Sequence, residues 1–294
     1  MGRSTQSRSH YLYLSMLVVL VSAVGLYPFL DAIILGFHSK DLMNPAADRF
    51  VAFGNFIRLF TKERLLVPTL VNTVVFTVGS VAFEFLLGLG SALLLNSPRA
   101  PLKNFLKALV LLPWAVPIAI NSLIWRFMLA PNIGFVNQLL DLLGFHDFLT
   151  QNWLGDLKLV MAVCIFINVW RSFPFYTITL LAGLATVPRE LYEAAHVDGA
   201  SRFARFRHIT LPGIRNVALV IVVLHLIWTF TNFDVIYLLT AGGPLHATEV
   251  LPTLLYSYAF EHFEMGYAAA IGVFLLIILA VTVGPSYARV NRLQ

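Results

Sequence analysis

The chain has 294 residues, 59% of them hydrophobic and only 12% charged, with a mean hydropathy of +0.80. That leaves too little polar surface to cover a soluble globule of this length, so composition excludes a water-soluble domain and points to an integral membrane protein. The formal net charge of +5 is scattered between apolar runs rather than massed on one face, which argues against a nucleic-acid surface, and the single Cys164 excludes a disulfide framework or a thiolate metal centre.

After a short polar tail at 1–10, six runs reach the roughly 20 apolar residues that a 30 Å hydrocarbon core demands: 11–37, 68–95, 108–130, 159–185, 217–239 and 267–288. Hydrocarbon offers backbone groups no partner, so each run is expected as a helix, giving an all-α membrane protein of six spans over 11–288, with a second tail at 289–294. The first run is too long for a signal sequence and lacks a small-residue cleavage pattern, so it is expected to be retained. Cations set the orientation. With both termini cytoplasmic, the inner segments hold Arg3, Arg8, Arg99, Lys103, Lys107, Arg189, Arg202, Arg205, Arg207, Arg215, Arg289 and Arg292. The outer ones hold six, Lys40, Arg49, Arg58, Lys62 and Arg64 in the first loop and Lys158 in the second. In that loop Phe50, Phe53, Ile57 and Phe60 recur at helical spacing, which predicts a short helix lying along the membrane interface.

Between spans four and five, residues 188–213 are unusually charged for this chain. Pro188 can open a helix whose positive end suits Glu190 and Glu193, Gly199 permits a turn, Ser201 can cap a second helix, and Pro212 is expected to stop it. Ala194 and Ala195 leave one face without bulk, as a helix seated in a cleft of another protein requires. A solvated loop that merely fixes topology is the alternative.

Polar residues inside spans default to the bundle interior or a water-filled path. Asn121, Ser122 and Trp125 share a depth on span three. Asn168 and Ser172 share a face of span four with Phe175, beside Trp170, and His225, Thr229 and Asn232 share a face of span five beside Trp228. Amide and hydroxyl groups next to indoles suit a sugar, whose hydroxyls take amide partners and whose C–H faces take rings. Interhelical hydrogen bonding is the competing role for each of them. Besides Asp31 near the end of the first run, four charges lie within the spans: Glu84, Arg126, Arg171 and Asp234. Arg126 and Asp234 fall at similar heights and are expected to pair, whereas Glu84 and Arg171 lie nearer the middle. Gly88-Leu89-Gly90 reads as close helix packing. No Gly-x-x-x-x-Gly-Lys-Ser/Thr loop and no catalytic or metal-ligating constellation occurs, so no ATP hydrolysis is expected on this chain.

Glu193-Ala194-Ala195, then Gly199, Ile209 and Leu211-Pro212, at these offsets and just before the penultimate span, resembles the EAA loop of permease subunits in bacterial ATP-driven (ABC) importers. "NTVVFTVGS" with "LGLGSALLLN", "LLPWAVP", "NVWRSFPF" and "FDVIYLLTAGGP" are similar to the carbohydrate branch of that family, which includes maltose, trehalose and glycerol-3-phosphate permeases, and the trehalose-importing members resemble it most. The resemblance implies a type I importer permease fold in the bacterial plasma (inner) membrane. It implies that Glu190, Glu193, Ala194, Ala195, Asp198 and Gly199 form a coupling helix docking on a separate ATPase, which carries the ATP and Mg. It also matches Asn168 and Trp170 to a sugar-lining pattern whose glycine is Ser172 here. The implied partners are a second homologous permease, two ATPase copies and an extracytoplasmic sugar-binding protein or lipoprotein. The cargo is then a disaccharide such as trehalose or maltose, with glycerol-3-phosphate or another phosphorylated sugar as the alternative that Arg171 keeps open. A secondary sugar transporter is the competing class.

Overall fold

A computed structural model describes residues 13–97 and 102–291. Arg3, Arg8, Arg99 and Arg292, on which part of the orientation argument rests, and the tail at 1–10 lie outside the described residues. In chain order the helices are α1 (Tyr13–Leu35), α2 (Gly54–Thr61), α3 (Leu66–Asn96), α4 (Lys103–Ala115), α5 (Ile118–Met128), α6 (Phe135–Leu142) and α7 (Val160–Ala185). They continue as α8 (Arg189–Val197), α9 (Arg202–Phe230), α10 (Asp234–Thr240), α11 (Leu251–Tyr256) and α12 (Met265–Asn291). No strand occurs among the described residues beyond an isolated antiparallel bridge between His38 and Phe50. The chain divides into two compact units, Met1–Leu66 with Leu254–Ile277 and Val67–Thr253 with Ile278–Gln294.

The all-helical architecture agrees with expectation. Five helices are long and apolar enough to cross a bilayer, and α4 with α5, a bent pair, brings the number to six when the pair is counted as one span. Span three is therefore corrected: it is two helices meeting at 92°, not one. Pro117 has no N–H to give and its ring bars the preceding residue from helical angles. Val116 is accordingly extended, at φ −77° and ψ 128°, and α5 restarts after the proline.

Span five is corrected too. The helix ends at Phe230, not near Leu239, because Asn232 turns its side chain onto the Val235 amide at 3.1 Å and opens a separate short helix, α10. At its other end α9 runs unbroken from Arg202, so Pro212 does not stop it. A wide π-turn over Phe206–Thr210 lies immediately upstream and absorbs the hydrogen bond that a proline cannot make.

The 188–213 segment otherwise folds as its residues suggest. Pro188 is the cap of α8 rather than its first residue. The helix closes on Gly199 at φ +72°, with Gly199 N–H donating to His196 O at 3.1 Å and Ala200 N–H to Ala195 O at 2.8 Å. That pair of bonds satisfies the last carbonyls of the helix and needs a left-handed residue. Ser201 Oγ accepts from Ala204 N–H at 3.1 Å to start α9, and Tyr192 OH meets Thr210 Oγ1 at 3.0 Å, tying α8 to α9.

Packing within the second unit is by small residues and by a buried polar stripe. Lipid tails are as apolar as leucine, so close contact rather than hydrophobicity associates spanning helices. At Gly88 the α7 backbone comes so near that a Cβ would collide with Tyr176, as the close-packing expectation requires, while Gly90 faces open space. Thr69, Thr73, Thr77, Ser80 and Glu84 follow one another up the buried face of α3. In the first unit, the expected interfacial helix is α2: Leu59 is buried, while Phe53, Ile57 and Phe60 stay exposed.

Candidate functional site

The polar stripe of α3 ends at Glu84, whose side chain has no exposed surface. Its two carboxylate oxygens are divided between neighbouring helices: Asn168 Nδ2 of α7 donates to Oε1 at 2.9 Å, and His225 Nδ1 of α9 lies 2.9 Å from Oε2. A lone carboxylate in a low-dielectric interior is costly unless paired and hydrogen-bonded. Here one side chain gathers three spanning helices. Asn168 and His225 were each read as candidate sugar contacts, and the structure brings them together through Glu84, with both buried.

Aromatic rings cluster around that knot. The His225 ring centroid is 4.4 Å from Tyr176, 5.3 Å from Trp228 and 5.6 Å from Phe175. Phe175 in turn lies 5.8 Å from Trp114 and 5.9 Å from Trp228. Trp114 and Trp228 are about half exposed, at 48% and 53%, so their faces are open. Phe175 also walls a cleft of about 320 Å³ between α7 and α9, with Thr179, Asn216, Val220 and Leu224. The sequence reading missed Trp114. It lies one residue after Pro113 in the last turn before the bend, and the packing of α4 against α7 puts its ring beside Phe175.

The remaining candidates separate into groups. Trp125 joins Trp170 at 6.2 Å and Phe166 at 5.2 Å, linking α5 to α7. Asn121 and Ser122 are buried on α5, and Asn121 Nδ2 and Ser122 Oγ have no hydrogen-bond partner among the described residues. Ser172 and Thr229 are buried, whereas Asn232 serves α10 as its capping group. Arg126 and Asp234, expected to pair, form no ion pair among the described residues and both are exposed; the buried Glu84 bonds instead to Asn168 and His225. Arg171 is half-buried within electrostatic reach of Asp234 and Glu84.

Away from these rings, Glu190, Glu193, Ala194, Asp198 and Gly199 are exposed on α8 and its closing turn, and Ala195 is half-buried. Leu191, Val197 and Phe203 are also exposed, which gives this end of the molecule an apolar surface between its charges. No group of three or more His, Cys, Asp or Glu side chains that could hold a metal ion occurs among the described residues.

Residues 84–292 match the family described as the inner membrane component of binding-protein-dependent transport systems. The chain is 35% identical over 289 residues to the trehalose/maltose transport system permease protein MalF of Thermococcus litoralis, covering 98% of this chain and 95% of that one. It is 32% identical to the sulfoquinovosyl glycerol transport system permease protein SmoG of Agrobacterium fabrum, covering 96% and 89%. In structure it resembles a chain of the bacterial ABC transporter that imports alginate, with a TM-score of 0.84 at 24% identity over 99% of both chains, a likeness of fold. Apolar spans, the bent α4–α5 crossing and these relationships agree, and the chain belongs to the binding-protein-dependent family of ABC importer permeases, as an integral membrane component.

Proposed function

We propose that this chain is a sugar permease that moves a neutral di- or oligosaccharide, such as trehalose or maltose, by alternating access, driven by ATP hydrolysed on separate subunits. The observation that carries the reading is the half-open ring cluster of Trp114, Phe175 and Trp228 beside the buried His225–Glu84–Asn168 knot. Rings offer apolar faces to sugar C–H surfaces, and polar groups come from Asn121 and Ser122 on α5, Ser172 on α7, Thr229 on α9 and Asn232 just after it. Trp125 and Trp170 form a second aromatic pair between α5 and α7. Arg171 has the acids Asp234 and Glu84 within electrostatic reach, which weakens it as a seat for a phosphate and favours a neutral cargo over glycerol-3-phosphate or another phosphorylated sugar. The relatives named for trehalose/maltose and sulfoquinovosyl glycerol support a carbohydrate.

The work enters at α8. Its exposed acids and small residues, Glu190, Glu193, Ala194 and Ala195 with Asp198 and Gly199, form a coupling helix for a nucleotide-binding subunit. From Arg202 to His225 the unbroken α9 spans about 35 Å at 1.5 Å per residue. A displacement at α8 therefore reaches the ring cluster through one rigid rod. Two ATPase copies, a second permease and an extracytoplasmic binding protein complete the importer, and both termini face the cytoplasm. One experiment on the assembled, reconstituted complex tests both ends. Glu193→Arg is expected to lose the ATPase on co-purification, and Trp228→Ala to keep the ATPase but cut sugar uptake tenfold or more. A secondary transporter would keep full uptake in the first variant, and a site elsewhere would keep it in the second.

A further inference from the structure

The segment between α1 and α3 carries Lys40, Arg49, Arg58, Lys62 and Arg64, and the sugar pathway makes no use of them. Its backbone folds back on itself: Ser39 N–H donates to Arg49 O at 2.9 Å and Val51 N–H to Phe37 O at 2.8 Å. That pairing brings the Lys40 and Arg49 ends of the loop to one pocket. Asn55 Nδ2 fixes the base by donating to Gly36 O and His38 O at 2.9 and 2.8 Å. Gly266 N–H donates to Lys40 O at 3.0 Å, and a Cβ at Gly266 would collide with His38 O. The result is a pocket of about 440 Å³, lined among others by Lys40, Asp41, Arg49, Arg58, Glu264 and Tyr267.

Its charges are not equivalent. Arg58 forks onto Glu264 and lies 4.0 Å above the Tyr267 ring, so that cation and that acid are spent on each other. Asp41 Oδ1 accepts from Met43 N–H at 2.7 Å and Asn44 N–H at 3.3 Å. Lys40 and Arg49 are exposed and form no ion pair among the described residues. The pocket thus offers two uncommitted cations to an anion.

A second cavity adjoins it within the same unit. About 380 Å³ in volume, it is lined mainly by apolar residues of α1 and α12, among them Phe29, Ile33, Ala269, Gly272 and Leu276, with Leu255 of α11. Consecutive residues at the start of α12 serve both: Glu264 and Tyr267 line the polar pocket, Met265 and Ala268 the apolar groove. The polar pocket lies where the apolar run of α1 stops and that of α12 begins, which is headgroup depth. Phe50, Phe53, Ile57 and Phe60 are exposed alongside, as on a helix lying in the interface.

We propose that this unit binds one anionic glycerophospholipid of the surrounding bilayer, its phosphate on Lys40 and Arg49 and an acyl chain in the α1–α12 groove. A soluble partner reaches the cations but not a groove cut into spanning helices. A lipid meets both, and charge complementarity selects the anionic headgroup. The site is independent of the cargo proposed above, and its test does not read transport.

The assembled complex, purified in detergent, is titrated with phosphatidylglycerol, phosphatidylcholine or inorganic phosphate and analysed by native mass spectrometry. One phosphatidylglycerol per copy of this chain should be retained, at least tenfold more tightly than phosphatidylcholine. Lys40→Gln with Arg49→Gln should weaken retention tenfold or more, and so should Ala269→Leu, which fills the groove without touching a charge. Equal retention of both lipids, or unchanged retention in either variant, overturns the proposal. So does inorganic phosphate binding as tightly as the lipid, which marks a soluble-anion site, or loss of binding-protein capture with lipid retention intact, which marks a protein-docking surface.

Discussion

Glu84 shows how one side chain organises a membrane bundle. In hydrocarbon its carboxylate has no water to fall back on, so both oxygens find donors, and the donors sit on two other helices. Removing one donor leaves the carboxylate partly unsatisfied, which costs about 1–3 kcal/mol. His225→Ala is therefore expected to lower the thermal unfolding midpoint of the detergent-held protein, and His225→Gln, which can still donate, to restore most of it. Outside the spans, Tyr258 donates its hydroxyl to Glu63 Oε2 at 2.5 Å. Burial first, and then that carboxylate, push its phenol up from 10.0 to about 12. A raised value means the folded form holds its proton where the unfolded form has lost it, so stability is constant below about pH 10 and falls as pH rises towards 12. Tyr258→Phe should flatten that alkaline limb in pH-dependent unfolding. Glu84, Asn168 and His225 could be picked out of the sequence as polar residues in apolar runs. That the first binds the other two could not, because more than eighty residues separate Glu84 from either partner.

Helices depart from their sequence-read bounds where backbone chemistry competes with apolarity. Hydropathy runs through Pro117 without a break, yet the helix cannot, and the chain turns by 92° there. At Pro212 the opposite holds, since the π-turn at Phe206–Thr210 lets α9 continue. A proline by itself does not say which outcome follows; the hydrogen-bond frame upstream of it does. Gly199 is simpler. Its φ of +72° closes α8 so that α8 and α9 meet at a fixed turn, and a β-branched side chain is strained at that angle whatever the space around it. Gly199→Val is expected to cost about 1–2 kcal/mol and to loosen the joint. Co-purification of an ATPase should then fall sharply with the fold of the spans intact by circular dichroism. Gly199→Asn, which tolerates the left-handed region, should retain most of it.

At the scale of the molecule, composition and the spacing of apolar runs already settle a great deal. Roughly twenty consecutive apolar residues can meet a bilayer only as a helix, so number of spans, helical class and the charged segment between spans four and five were readable without coordinates. The same holds for α2, whose aromatic spacing marks its exposed face. These are properties of residues close in the chain, and local chemistry fixes them. Other features depended on residues brought together across the fold: the Glu84 knot, the rings of Trp114, Phe175 and Trp228, and the pocket that Lys40 and Arg49 share with the start of α12. In hydrocarbon every spanning helix is apolar over most of its surface, so periodicity carries little information about which face meets which neighbour. Close approach at small residues and the few buried hydrogen bonds make that choice, and both become visible once the helices are packed.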